Sequence, residues 1–173
     1  MAICFELVVN FGDNIDAARS AVLSQAVSWR TTLDAGNRSI PLHTPLLRTD
    51  GPYVELSVLP VAVGLGVALD GDIPQFALTA AELTELGHQL YQLLATFDGY
   101  VAATVGWDPE VKINPNWLKG GWIAGVGAGA ADGLVLCDAL HAELGWGDEF
   151  AVFRPGYRWM PYRGETASTI YTD

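Results

Sequence analysis

The stretch Leu78 to Gly99, LTAAELTELGHQLYQLLATFDG, constrains the fold of this chain more than any other, because both its ends and its buried face can be read from side chains. Thr79 and Glu82 form a T-x-x-E capping box, in which each side chain satisfies a free backbone donor at the other position. Leu78 and Leu83 are spaced to close as a hydrophobic staple over that start. Leu83, Leu86, Leu90, Leu93, Leu94 and Phe97 recur on one stripe, with Glu85, His88, Gln92 and Thr96 opposite, and Asp98-Gly99 is a natural stop. Such a helix must lie on an apolar surface, and the segments around it read as strands.

Ile3 to Phe11, ICFELVVNF, is dense in β-branched and aromatic residues with a single charge, so it predicts a largely buried central strand. After Gly12-Asp13-Asn14, the residues Ile15, Ala18, Val22, Ala26, Trp29 and Leu33 recur at helical spacing, with Asp13 or Asn14 as cap and Gly36 beyond the end. Asp34 to Pro52 holds three prolines and no sustained period, which predicts a long irregular connection. Tyr53 to Leu59 alternates as a half-exposed strand, with Tyr53, Glu55 and Ser57 on one face. Pro60 interrupts it, and Val61 to Leu69 follows as a second apolar strand closed by Asp70-Gly71. One long bulged strand pairing with Gln75 to Leu78 is the alternative. Tyr100 to Gly106 supplies another strand.

The order strand, helix, strand, strand, helix, strand fits a ferredoxin-like βαββαβ sandwich: an antiparallel sheet with both helices on one face. Residues 1–106 form this α+β core. Residues 107–173 are expected to pack on the same domain as a Gly-rich and aromatic extension. In it, Asp132 caps a short helix to Leu144, and Glu149–Arg154 and Tyr157–Tyr162 make a hairpin about Pro155-Gly156. Arg163 to Asp173 reads as a polar tail.

Twenty acidic against nine basic residues give a formal charge of −11, which repels nucleic acid and anionic membranes and favours a basic protein or a cationic ligand. The two cysteines, Cys4 and Cys137, have neither the number of a disulfide scaffold nor metal-ligand spacing, so reduced thiols in a cytoplasm are expected. Met1 to Asn10 lacks the basic start of a signal peptide, and the longest apolar run, Val58 to Leu69, is too short to span a bilayer.

Four residues are candidates for chemistry. Cys137, Asp138 and His141 lie at helical spacing as thiol, orienter and base, although core packing is the stronger reading of that face, with Asp138 toward its edge. His43 sits in the long proline-containing loop, where binding residues collect. The glycines at 125, 127 and 129 lack the strand before them and the G-K-[ST] that phosphate binding needs. No metal set and no cofactor motif is present. The densest signal is aromatic and basic: Trp107, Trp117, Trp122, Trp146 and Trp159 lie in the last third, together with Arg154, Arg158 and Arg163. Arginine with aromatics is typical of interface hot spots and anion pockets, which makes Arg154, Arg158, Arg163, Tyr157, Trp159 and Tyr162 the expected binding residues.

The function these observations favour is a non-catalytic binding or assembly protein, acting as a homo-oligomer or by capturing a basic protein or small ligand. The alternative is a small-molecule enzyme with a pocket under the 34–52 loop and a histidine as acid or base.

Overall fold

The computed structural model describes residues 2–28, 32–67, 70–71, 73–121 and 129–166. The capping box closes in both directions: the Glu82 N–H donates to Thr79 Oγ1 at 3.2 Å, and the Thr79 N–H donates to the Glu82 carboxylate at 2.8 Å. These bonds start α2 (Ala80–Leu94), whose leucine stripe is buried throughout while Glu85, His88 and Gln92 stay exposed. The helix ends short of Asp98-Gly99, where the Thr96 hydroxyl donates to the Leu93 carbonyl at 2.7 Å. Phe97 remains in the core.

The central strand is β1 (Ala2–Asn10). It pairs with β7 (Ala102–Trp107) along one edge. Along the other it pairs with β5 (Glu55–Val58) beside its C-terminal half and with β6 (Gly64–Gly66) beside its N-terminal half. Outside β5 lies β4 (Leu46–Arg48), and outside β7 lie β8 (Val135–Cys137), β10 (Tyr157–Trp159) and β9 (Ala151–Arg154), in that order. All these pairings are antiparallel.

The molecule is therefore α+β with an eight-stranded sheet, larger than the expected four. Three of the four additional strands come from residues 107–173, and the fourth is β4. The outer edge of β7 carries backbone donors and acceptors that need partners, and β8 provides them.

Several boundaries differ from expectation. The helix α1 (Ile15–Ser28) is shorter, with Leu33 on the next strand and Trp29 outside the described residues. The 34–52 connection is not irregular. It holds most of a hairpin, β2 (Thr32–Ala35) and β3 (Arg38–Pro41), and then β4. Leu33, Ala35 and Ile40 bury beneath α2, and the hairpin backbone bonds to Gln89 and Glu85 on that helix, which fixes a segment that lacks strand periodicity over any length. The strands expected at 53–59 and 61–69 shrink to β5 and β6. Both lie against β1, with a left-handed Ala62 (φ 59°) between them, and 75–78 forms no strand.

Asp132 does not cap a helix running to Leu144. The strand β8 intervenes, and a shorter α4 (Asp138–Leu144) starts from Cys137. The hairpin forms at Pro155-Gly156, with Gly156 at φ 85° as a type II turn requires. Most of the Gly-rich stretch, 122–128, and the end of the tail, 167–173, lie outside the described residues.

The sheet separates two layers. Phe5, Leu7 and Val9 of β1, with Leu56 and Val58 of β5, face α1, α2 and the small hairpin in the main core. Val8 and Ala102 face the other way, against a 3-10 turn (Pro109–Ile113), α3 (Pro115–Lys119) and α4 in a second, smaller core. Helices thus cover both faces.

Candidate functional site

Side chains alternate along β1, so Glu6, Val8 and Asn10 all stand on the second face. Cross-strand register places Glu55 opposite Asn10, and Arg48 of β4 opposite Glu55. The chain leaving β7 reaches Asp108, whose carboxylate accepts the Cys4 N–H at 2.8 Å, and the 3-10 turn that follows brings Glu110 over the same face. Ser57, expected on an exposed face, is buried under this cover together with Glu6 and Asn10.

The result is a polar cluster where an apolar layer would be cheaper. Glu6 is 5% exposed. Burial pushes its carboxyl up to about 7, with Glu110 and Asp108 adding to the effect, while a hydrogen bond from Ser57 and the Arg48 guanidinium oppose it. Arg48 Nη2 donates to Ser57 Oγ at 3.3 Å and lies 3.7 Å from Glu55, while Nη1 lies 3.5 Å from Glu110. Burial, with Glu110 and Asp50 nearby, also raises the Glu55 carboxyl despite the arginine. Above this cluster opens a cleft of about 300 Å³ lined by Arg48, Asp50, Tyr53, Glu55, Glu110 and Trp117. One guanidinium faces several carboxylates. Such a site has a surplus of negative charge in partly dry surroundings, where an added cation gains more than it does in bulk water.

The residues singled out in the sequence lie elsewhere. His43 Nε2 sits 2.7 Å from Asp70, whose other oxygen accepts the Ala62 N–H at 2.6 Å. The pair lines a cavity of about 20 Å³ that also includes Cys4 and Gln75, which is room for roughly one water. Burial and the Glu6 charge push the Cys4 thiol up to about 11, so it stays protonated and a poor nucleophile. Cys137, Asp138 and His141 have separate partners. The Cys137 sulfur accepts the Leu140 N–H at 3.4 Å as the helix cap, Asp138 pairs with Arg158 at 3.4 Å, and His141 packs on Phe150. Among the described residues no group of His, Cys, Asp and Glu is arranged to hold a metal ion.

In the C-terminal hairpin, Arg154 bonds the Phe97 carbonyl and Asp98 and lies over the Tyr157 ring. Tyr157 stacks on Tyr100 and accepts the Gly99 N–H at 2.9 Å. Trp159 and Tyr162 both pack on Tyr91. These four tie the hairpin to the core, whereas Arg158 and Arg163 stand at the surface in long ion pairs with Asp138 and Asp132.

Sequence reasoning passed over Glu6, Arg48, Glu55 and Glu110. One signal was present: Glu6 is the only charge in an otherwise apolar central strand, and an ionisable residue there is costly unless it is used. Against protein-family models, curated proteins and solved structures the chain gives no match, so the cleft is read from its geometry alone.

Proposed function

We propose that this is a non-catalytic binding protein whose acidic cleft takes a small organic cation, such as a primary amine. The observation that carries the reading is the charge imbalance around Arg48: Glu55 and Glu110 share its guanidinium, Asp50 lines the same cleft and Glu6 lies buried beneath. Calorimetric titration with methylammonium at pH 8 is the test. Saturable binding that weakens about tenfold in Glu110→Gln supports the reading, with the loss of one close charge pair as its cause. Equal binding of acetate, or no binding of either ion, overturns it.

An enzyme is the second reading, favoured by Glu6. A carboxyl that exchanges its proton near neutrality beside a cleft is poised for general acid–base work. In that case Glu6, rather than His43 or His141, is the acid–base group.

Around the cleft reading stand broader proposals. The order β7-β1-β5-β4, with α1 and α2 on one face, supports a ferredoxin-like unit within the larger sheet. The net charge of −11 supports a basic protein as a further partner. Two free cysteines support a reducing cytoplasmic setting. Exposed apolar residues on the two outermost strands support a homo-oligomer.

A further inference from the structure

The segment that covers Glu6 is anchored at its two ends. Before it, Trp107 packs edge-on against Phe5. After it, Ile113 is buried in the second core and Asn114 Oδ1 caps α3 by accepting the Asn116 N–H at 3.0 Å. Between those anchors the 3-10 turn lies against β1. Glu6 stands opposite Gly106 in the ladder, and a glycine leaves the space beside the carboxyl unfilled. The buried Pro109 closes over that position, 4.0 Å from where a Gly106 Cβ would stand. The turn is thus the roof over the buried Glu6.

Within the segment the hold is weak. Asp108 enters it in the left-handed region (φ 41°, ψ 58°), which a residue other than glycine adopts at some cost. Its carboxylate accepts the Cys4 N–H, so the turn starts without a side-chain cap. Glu110 ties the turn to Arg48 at 3.5 Å, the long limit of a hydrogen bond.

The groups around Glu6 set a proton against this roof. Asp108 and Glu110 bear on it from the chain after β7, and Arg48 and Ser57 from β4 and β5. Glu55 and Asp50 line the cleft above, the turn itself also carries Lys112, and the Cys4 thiol on the same strand stays protonated. The strands β6 and β7 carry no ionisable side chain, and α2 packs on the opposite face. Arg48 is already shared between Glu55 and Glu110. An ionised Glu6 under a closed roof therefore lacks water and lies among like charges, whereas a lifted roof hydrates it and takes Glu110 away.

We propose that residues 108–113 are a proton-gated roof, closed over Glu6 while its carboxyl is neutral and lifted more often once it ionises. The device needs no ligand and stands apart from the cation reading of the cleft. With the roof lifted the carboxyl titrates near its ordinary 4.5, and with the roof closed it keeps its proton up to about 7. Closure is thus strongest at low pH, weakens between those two values and is constant above them.

Amide hydrogen exchange followed by NMR at pH 5 and pH 7.5, corrected for the pH dependence of free amides, is the test. The probe is the Asp108 N–H, which donates to the Cys4 carbonyl at 3.0 Å, and the reference is Leu90 in the middle of α2. Asp108 is expected to exchange faster than Leu90 at both pH values, as a locally opening segment does. Its protection should fall at least about tenfold from pH 5 to pH 7.5, because the anion is disfavoured only where the roof is closed. Glu6→Gln, which keeps the shape of the neutral acid, should remove that fall. Glu110→Gln, at a half-exposed position, should shrink it and serves alone if Glu6→Gln does not fold. Protection of Asp108 equal to that of Leu90 would overturn the roof, since the segment would then open only with the whole fold. A protection independent of pH would overturn the gating. So would a full fall that persists in Glu6→Gln or in Glu110→Gln.

Discussion

At the scale of single residues, Glu6 shows how burial sets chemistry. Its folded carboxyl lies near 7, against an ordinary value of 4.5, so folding works against its ionisation. Below about pH 4.5 the group is protonated in both states and contributes nothing. As pH rises from there to about 7, the unfolded chain gives up the proton while the folded one keeps it, and stability falls. Above 7 the loss is complete, on the order of 3 kcal/mol for such a shift. Glu6→Gln should therefore flatten the fall in stability between pH 5 and 8 and raise stability at pH 8 by about that amount. Urea denaturation of both proteins at the two pH values is the check, and parallel curves would show that Glu6 ionises freely in the fold.

At the scale of elements, α2 carries the sharpest prediction, and it concerns Gly87. A glycine inside a helix normally costs about 1 kcal/mol relative to alanine, so Gly87→Ala should stabilise on propensity alone. Here a Cβ would meet the Tyr162 hydroxyl at 2.6 Å and the ring edge at 2.7 Å. Tyr162 is itself held by the Tyr91 ring and by its bond to Glu165 at 2.9 Å. The substitution is expected to destabilise the chain by about 1 to 3 kcal/mol, as overpacking does, and to loosen the segment that follows β10. In a Tyr162→Ala background the same change should recover the helix gain. If Gly87→Ala stabilised both backgrounds equally, the contact between α2 and the chain after β10 would be wrong. The same element shows how far local sequence reaches. Its cap, stripe and exposed face were all legible, because each depends on residues within a few positions of one another.

At the scale of the whole molecule, the main strand order of the sheet runs, among the described residues, from β4 at one end to β9 at the other. Leu46 on β4 is 53% exposed and Val152 on β9 is 68% exposed, so each outer strand presents an apolar side chain at the end of the sheet. Edges of that kind pair readily with another copy. Light scattering at micromolar concentration should report a species larger than the 18.5 kDa chain, and Val152→Lys, which puts a charge on the β9 edge, should return it toward monomer if that edge pairs. A wild-type chain that scatters as a monomer would remove the assembly proposal and leave the cleft as its principal binding surface.

What the sequence determined by itself was local: the capped α2, the buried β1, the Pro155-Gly156 hairpin and the alternation that put Glu55 and Ser57 on one side of β5. Each follows from side-chain periodicity or turn chemistry over a few residues. The tertiary structure decided how those pieces add up. Strands from the last third joined the β7 edge because an open ladder must be satisfied, and residues 32–41 became a hairpin because α2 offered a surface to bury Leu33 and Ile40. The cleft is the clearest case: its charged residues lie at positions 48, 50, 55 and 110 of the chain, over the buried Glu6, a spacing that no local pattern encodes. Only the packing of β4, β5 and the 3-10 turn against β1 brings Glu55 and Glu110 to one guanidinium, and burial, with the Glu110 and Asp108 charges nearby, raises the Glu6 carboxyl.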